Sequence, residues 1–261
     1  MNPVARLAVR GVDLVNRRGK SVGARLVKLT GKRPYVIHPK HLLDHDWHDW
    51  YLPYLEKTDR VVDVGCNNGA HLLRAAARCR SIVGLDYDAA QLAIAEREAR
   101  QRGLDHVGLR SCDITARLPF PDGAFDAALF LDVIEHVVPR VSVLQEIHRV
   151  LTPEGRLLVS APNRDSRWRQ TLREAGVFSY SDPDHKIEYT EQEFLDELAA
   201  GGFVPDGEVM PVVLDTPWAG AIDAVGGVSL ALYDRLSRWK RAAALRRPED
   251  STGFRVRARK R

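Results

Sequence analysis

The chain has 261 residues, 44% hydrophobic and 28% charged, which suits one full α/β domain with extensions and is ample for a buried core. Cys66, Cys79 and Cys112 form neither a Cys-x-x-Cys pair nor an even framework, so the expectation is a reducing, cytoplasmic setting without disulfides or structural zinc. The net charge of +4 is uneven, with +9 in residues 1–40, +9 in 235–261 and −14 in the body between them.

No uncharged run reaches membrane-spanning length, and no signal-peptide pattern opens the chain. Residues 4–18 place Val4, Leu7, Ala8, Val12 and Val15 near one helical face, with Arg6, Arg10, Arg17 and Arg18 mostly off it. Two readings stand open: a helix that covers the core or a substrate lip, or one that lies on an anionic membrane surface. Residues 32–51 are dense in aromatic and imidazole rings, including His41, His45, Trp47, His48, Trp50 and Tyr51. They suit either a cap over an active site or ordinary packing of an N-terminal helix.

Val61-Val62-Asp63-Val64 is a β-branched run that suits a buried strand, and Gly65-Cys66-Asn67-Asn68-Gly69 breaks it with a tight loop. Helical spacing follows from Ala70 to Arg80 through Leu72, Leu73, Ala76 and Ala77. Strand, loop and helix in this order open a nucleotide-binding βαβ unit. Gly65 and Gly69 let the backbone approach a ligand, and Asp63 can face a cationic group on it. Asp86 ends the next apolar run, Ser81–Asp86, where a carboxylate can accept ribose hydroxyls. A dinucleotide fingerprint would read Gly65, Asn67, Ala70, a poor match that disfavours an NAD-dependent oxidoreductase.

These residues resemble the class I S-adenosylmethionine (SAM)-dependent methyltransferases, in the branch that includes quinone-biosynthesis enzymes. Asp63, Gly65 and Gly69 fit the family's acidic-x-Gly-x-Gly-x-Gly motif, with Asn67 at the middle position, and Asn tolerates left-handed backbone better than most residues. The likeness continues through Ser111–Ile114, Leu118–Asp122 and Phe125–Phe130, covering roughly 55–205. It implies a Rossmann-like, doubly wound α/β fold: a seven-stranded, mostly parallel sheet with an antiparallel last strand and helices on both faces. The implied cofactor is SAM, held by Asp63, Gly65, Cys66, Asn67 and Gly69, by Asp86 and Tyr87, and by Asp113, Ile114 and Leu131. In this reading Asp113 meets the adenine amino group, while Ile114 and Leu131 wall the ring. The alternative for Asp113 is a loop cap.

Asp88 and Gln91 read as a capping pair for a helix through Arg102, which Gly103 stops. Val107–Arg110 is a short strand, and Phe125–Leu131 a central one ending in Asp132-Val133-Ile134-Glu135-His136. Ligands of open α/β sheets sit at such carboxyl ends, so His136 is a candidate general base. By resemblance to some quinone-branch and small-RNA methyltransferases, Asp132, Glu135 and His136 form a second option, a divalent metal site. A third is that Glu135 and His136 brace the loop.

Pro139 starts a helix, Thr152–Gly155 is a turn, and Arg156–Ser160 is the fifth strand, with Asn163 at its carboxyl edge. Residues 164–189 form a polar insertion before the capping box Thr190–Glu193. His185 and Tyr189 there are candidates to touch the acceptor, against a solvated His and a packed Tyr. Residues 209–232 should contribute the final strands and an apolar lip, and the basic end 255–261 should be disordered in isolation.

The expected domains are 1–50 as a basic helical cap, 51–215 as the SAM domain with the 164–189 insertion, and 216–261 as an apolar segment with a basic helix and tail. The expected function is methyl transfer to oxygen of a small-molecule or lipid-linked acceptor, with catalysis at His136 or His185, in a cytoplasmic protein peripheral to an anionic membrane. An RNA methyltransferase and a non-catalytic SAM-binding regulator are the alternatives. The oligomeric state is left open.

Overall fold

The computed structural model describes residues 1–29, 43 and 47–261, save the side chains at 20, 24 and 27–29. Basic and aromatic residues expected to cap the site at 32–42, together with His45, lie outside that description. The described chain falls into two compact units: Met1–His45 with Asn163–Pro183 and Pro211–Gly253, and Asp46–Pro162 with Asp184–Met210 and Phe254–Arg261.

The second unit carries the sheet, with strands in the order β3-β2-β1-β4-β5-β8-β6 and β7 paired with β8. Parallel pairing joins β1 (Arg60–Val64), β2 (Ser81–Asp86), β3 (Val107–Ser111), β4 (Phe125–Leu131) and β5 (Leu151–Pro162). β6 (Phe203–Pro205) runs antiparallel to β8 (Gly253–Lys260). Doubly wound order and near-parallel sense match expectation, with the two-residue β7 (Met210–Pro211) as an eighth strand.

Alternate residues of β1 and β4 enter two separate cores, so the cores lie on opposite faces of the sheet. Val62, Val64, Ala128 and Phe130 join α4 (Arg140–Val150) and α6 (Glu191–Ala200), while Val61, Ala127, Leu129 and Leu131 join Trp50, Tyr51 and Leu72. Helix α3 (Ala89–Gln101) is capped by the Asp88 carboxylate, which accepts the N–H groups of Ala90 and Gln91. α6 carries the expected capping box of Thr190 and Glu193.

Several expectations are corrected. The helix after the glycine loop is only α2 (Leu72–Ala75), tightened into a 3₁₀ turn at Ala76–Arg78. Thr152–Gly155 does not break the chain but bulges within β5, where Phe125 pairs with Leu151 and Ala127 with Arg156. The 164–189 insertion contains α5 (Arg167–Glu174), capped by the Ser166 hydroxyl. The apolar segment after 209 supplies just β7 to the sheet and otherwise forms α7 (Ala219–Gly226) and the start of α8 (Leu230–Arg246).

The largest correction concerns the basic end, which is not disordered: it is β8, lying between β5 and β6. Its residues alternate, with Phe254, Val256 and Ala258 buried in the core. The intervening Arg255 lies over the Trp50 ring at 5.8 Å and Arg257 over Tyr54 at 4.9 Å, with Asp206 pairing Arg257 at 3.0 Å. A charged strand is thus kept by arginine stacking on aromatic rings.

Candidate active site

The carboxyl ends of β1, β2 and β4 converge on one edge of the sheet. Asp63 lies one residue before the end of β1, on the face of Val61, and is almost fully buried. Its carboxyl takes the Leu72 N–H, while Oδ2 has no hydrogen-bond partner. Burial, reinforced by nearby Asp86, pushes its pKa up to about 7. A buried oxygen without a donor is costly, so it fits a cationic ligand group that would pair it.

The loop beyond is shaped by left-handed backbone. Gly65, Asn67 and Gly69 have φ of 80°, 48° and 79°. A Cβ at Gly65 would sit 2.7 Å from the Val133 methyls, so only glycine fits there. Gly65 and Cys66 both donate to the Leu85 carbonyl, at 2.8 and 2.9 Å. The Cys66 side chain is buried, its thiol facing Gly84, so this residue offers backbone rather than sulfur to a ligand.

Asp86 ends β2 and holds the loop directly. Its Oδ2 accepts the Asn67 N–H at 2.8 Å and its Oδ1 the Asp88 N–H at 2.9 Å. One carboxylate therefore fixes the strained Asn67 turn, with lone pairs left for ribose hydroxyls. Tyr87 next to it is strongly exposed. Asp113 is exposed, and its Oδ1 accepts both the N–H (2.9 Å) and the hydroxyl (2.7 Å) of Thr115, so it does cap its loop. Ile114 packs against the core of α4 and α6, whereas Leu131 belongs to the core on the other face. The structure does not bring these two expected ring walls into one cluster.

At the end of β4 the chain turns through Asp132 (φ 56°) into a 3₁₀ turn, Ile134–His136. That turn buries Glu135 and exposes His136. The insertion then returns: Lys186 N–H donates to the Glu135 carbonyl at 2.7 Å, which sets His185 above it. The His136 and His185 rings meet edge to face, 4.7 Å between centroids. His185 Nδ1 lies 2.9 Å from Glu188 Oε1, and its Nε2 3.9 Å from Glu135 Oε1.

Ligand atoms of Glu135, His136 and His185 all lie within 4.8 Å of one another. Of the residues in the metal option, Asp132 accepts the Ser160 hydroxyl at 2.6 Å, and the group within ligating reach comprises Glu135, His136 and His185. Tyr189 is fully buried and bonded to Glu197, the packed alternative. Asn163 is a structural pin, donating to the Glu249 and Ser251 carbonyls at 3.0 Å each.

Glu188 and His71 escaped the sequence reading, and Tyr51 stands there only as one ring among several. Glu188, fully buried, orients His185; its i+3 spacing was the available signal. Tyr51, also fully buried, reaches His71 Nδ1 at 3.1 Å, and burial, with Asp49 and Asp63 nearby, raises its pKa. Only the density of rings before the loop hinted at that pair.

Residues 55–202 match the family described as "Methyltransferase domain". The chain belongs to the class I SAM-dependent methyltransferase family. It is 32% identical over 176 residues to a probable S-adenosylmethionine-dependent methyltransferase of Mycolicibacterium smegmatis, covering 60% of this chain and 66% of that one. A demethylmenaquinone methyltransferase of Thermus thermophilus is 41% identical over 108 residues, 40% of this chain and 48% of the relative. For a ubiquinone biosynthesis O-methyltransferase of Pseudomonas paraeruginosa the figures are 30% over 133 residues, 50% and 55%. The chain thus spans about half to two thirds of these relatives' lengths. In fold it is similar to a geranyl diphosphate methyltransferase solved with SAM (TM-score 0.58, 20% identity, 85% and 87% coverage). The [4+2]-cyclase SpnF gives a TM-score of 0.60 at 24% identity, with 82% and 80% coverage. SAM is the family's cofactor, and the bare Asp63 oxygen with the glycine cradle fits it.

Proposed function

We propose that this chain transfers the sulfonium methyl of SAM to an oxygen of a small-molecule or lipid-linked acceptor. The observation that carries the reading is the buried Asp63 carboxylate, with one unpartnered oxygen, beside the Asp86-held loop at the same sheet edge. Asp63 would face the cationic amino-acid end of SAM, and Asp86 the ribose. The bound cofactor supplies an electrophilic methyl; the protein's part is to place an acceptor oxygen in line and exclude water. His136 is exposed at the carboxyl end of β4 and suits removal of the acceptor proton, with His185 and Glu188 fixing its ring. Relatives named for demethylmenaquinone, ubiquinone biosynthesis and rifamycin support a small or isoprenoid-linked acceptor.

Calorimetry should register S-adenosylhomocysteine and not NADH. Cell fractions incubated with methyl-labelled SAM should then carry label in the lipid or small-molecule pool. Label in RNA alone would overturn the acceptor class, and NADH binding alone would overturn the cofactor.

A second reading adds a divalent cation. Glu135, His136 and His185 combine a carboxylate with two imidazoles within ligating reach, a donor set suited to Mn²⁺ or a similar ion. Dialysis against EDTA followed by Mg²⁺ or Mn²⁺ should restore methyl transfer if that reading holds, and should leave it unchanged if His136 acts alone.

A further inference from the structure

Helix α1 (Pro3–Leu29) presents two very different faces. Asn16, Gly19 and Gly23 press on α7, where Gly220 donates its N–H to Asn16 Oδ1. A Cβ at Gly19 or Gly23 would collide with the carbonyls of Gly220 and Asp223, so the backbones touch and α1 cannot roll. The apolar residues that made this helix amphipathic are elsewhere. Val4, Leu7 and Val15 are 78%, 72% and 63% exposed, and Leu14 and Val22 extend the same stripe at helical spacing. The helix is thus pinned by its small residues while its large apolar ones face outward.

That pattern extends across the unit. Thirteen of the fifteen large apolar side chains exposed among the described residues lie in it, Tyr87 and Val138 being the exceptions. Among them are Leu232 and Trp239, seven residues apart on α8, with Arg235 exposed between them. On α1, exposed Arg6, Arg10 and Arg17 form a stripe beside the apolar one, and exposed Arg18 sits within it. The helix sequence carries seven Lys or Arg against Asp13, which is already paired with Arg17.

We propose that α1 docks this protein on the surface of an anionic phospholipid bilayer. The apolar stripe would enter the headgroup boundary, and the flanking arginines would meet lipid phosphates with their stems laid along the apolar layer. Charge selects this occupant over the others. A second copy facing α1 would set one strongly cationic helix against another, and an RNA would gain nothing from Leu7 or Val15. No described helix is long and apolar enough to cross a membrane, so the contact is interfacial. This inference goes beyond the methyl-transfer reading and would stand if the acceptor were water-soluble.

The test is co-sedimentation of the full chain with vesicles of phosphatidylcholine alone or mixed with phosphatidylglycerol, at low and high salt. Wild type should bind the anionic vesicles and be partly released by salt. Leu7→Asp with Val15→Asp should abolish binding, and Arg6→Ala with Arg10→Ala should weaken it about 30-fold at low salt. Arg97→Ser, on the exposed side of α3, should change nothing. Because all four α1 side chains are exposed, circular dichroism and S-adenosylhomocysteine affinity should stay at wild-type values, which separates failure of docking from failure of the cofactor reading. Absent vesicle binding by wild type, or undiminished binding by the Leu7/Val15 variant, would overturn the proposal. So would a solution dimer that this variant dissolves without any vesicle binding.

Discussion

Asp63 offers the most direct test of the cofactor site. Its carboxyl is held mostly protonated below neutrality, with a pKa of about 7 against an ordinary 3.8, chiefly because it is buried. Each tenfold change in an ionisation constant corresponds to about 1.36 kcal/mol, so ionising it in the folded protein costs up to about 4 kcal/mol. A raised carboxyl pKa means that stability is greatest below the unfolded value and is lost as pH rises toward 7. A ligand bringing a cationic group to Oδ2 reverses the balance, since the paired carboxylate ionises and expels its proton. Affinity for S-adenosylhomocysteine, whose amino group is cationic throughout this range, should then rise about tenfold per pH unit between pH 5 and 7 and level off above. Calorimetry in two buffers of different ionisation enthalpy should show close to one proton released below pH 6 and little above pH 8. Asp63→Asn keeps an acceptor for the Leu72 N–H, so it should fold, bind weakly at every pH and release no proton. A wild-type affinity that stays flat from pH 5.5 to 7.5 would refute the reasoning.

Other consequences are as open to measurement. Asp86→Ala removes the acceptor for the Asn67 and Asp88 N–H groups together with the ribose partner, and should weaken S-adenosylhomocysteine by about 1.5–3 kcal/mol, ten- to hundred-fold in Kd. His136→Ala should lower kcat by about 10²–10⁴ with cofactor affinity intact, as read from calorimetry and methyl transfer side by side. Gly220→Val forces side-chain atoms onto the Asn16 backbone and should cost several kcal/mol, seen as a lower Tm of the helical unit. Truncation after Thr252 removes β8 and the burial of Phe254 and Val256, about 3–6 kcal/mol, comparable with the whole stability of a domain. A folded truncated chain that still binds S-adenosylhomocysteine would show that β8 is dispensable.

What the sequence revealed and what it hid divide along a physical line. β1, β2 and β4 and the loop between them were legible because local chemistry decides them: β-branched runs suit buried parallel strands, and a left-handed turn needs Gly or Asn. Asn67 (φ 48°) shows the rule operating at the position where the family favours glycine. β8 was illegible for the opposite reason. Arg255, Arg257 and Arg259 alternate with Phe254, Val256 and Ala258, a period of two that composition masks as a charged tail. Its arginines become tolerable only because Trp50, Tyr54 and Asp206, distant in sequence, stand ready for them. The acceptor side had the same difficulty. His136 could be placed from the end of β4, but its neighbour His185 arrives from the insertion, held there by the backbone bond of Lys186 to Glu135. On α1 the sequence showed an apolar stripe and left its direction open, since a helical wheel has no inside until its partner is known. Gly19, Gly23 and Gly220 decide that direction, and they do so by having no side chain at all. The large apolar residues are thereby left facing outward, and the proposed bilayer contact of α1 rests on that outward direction.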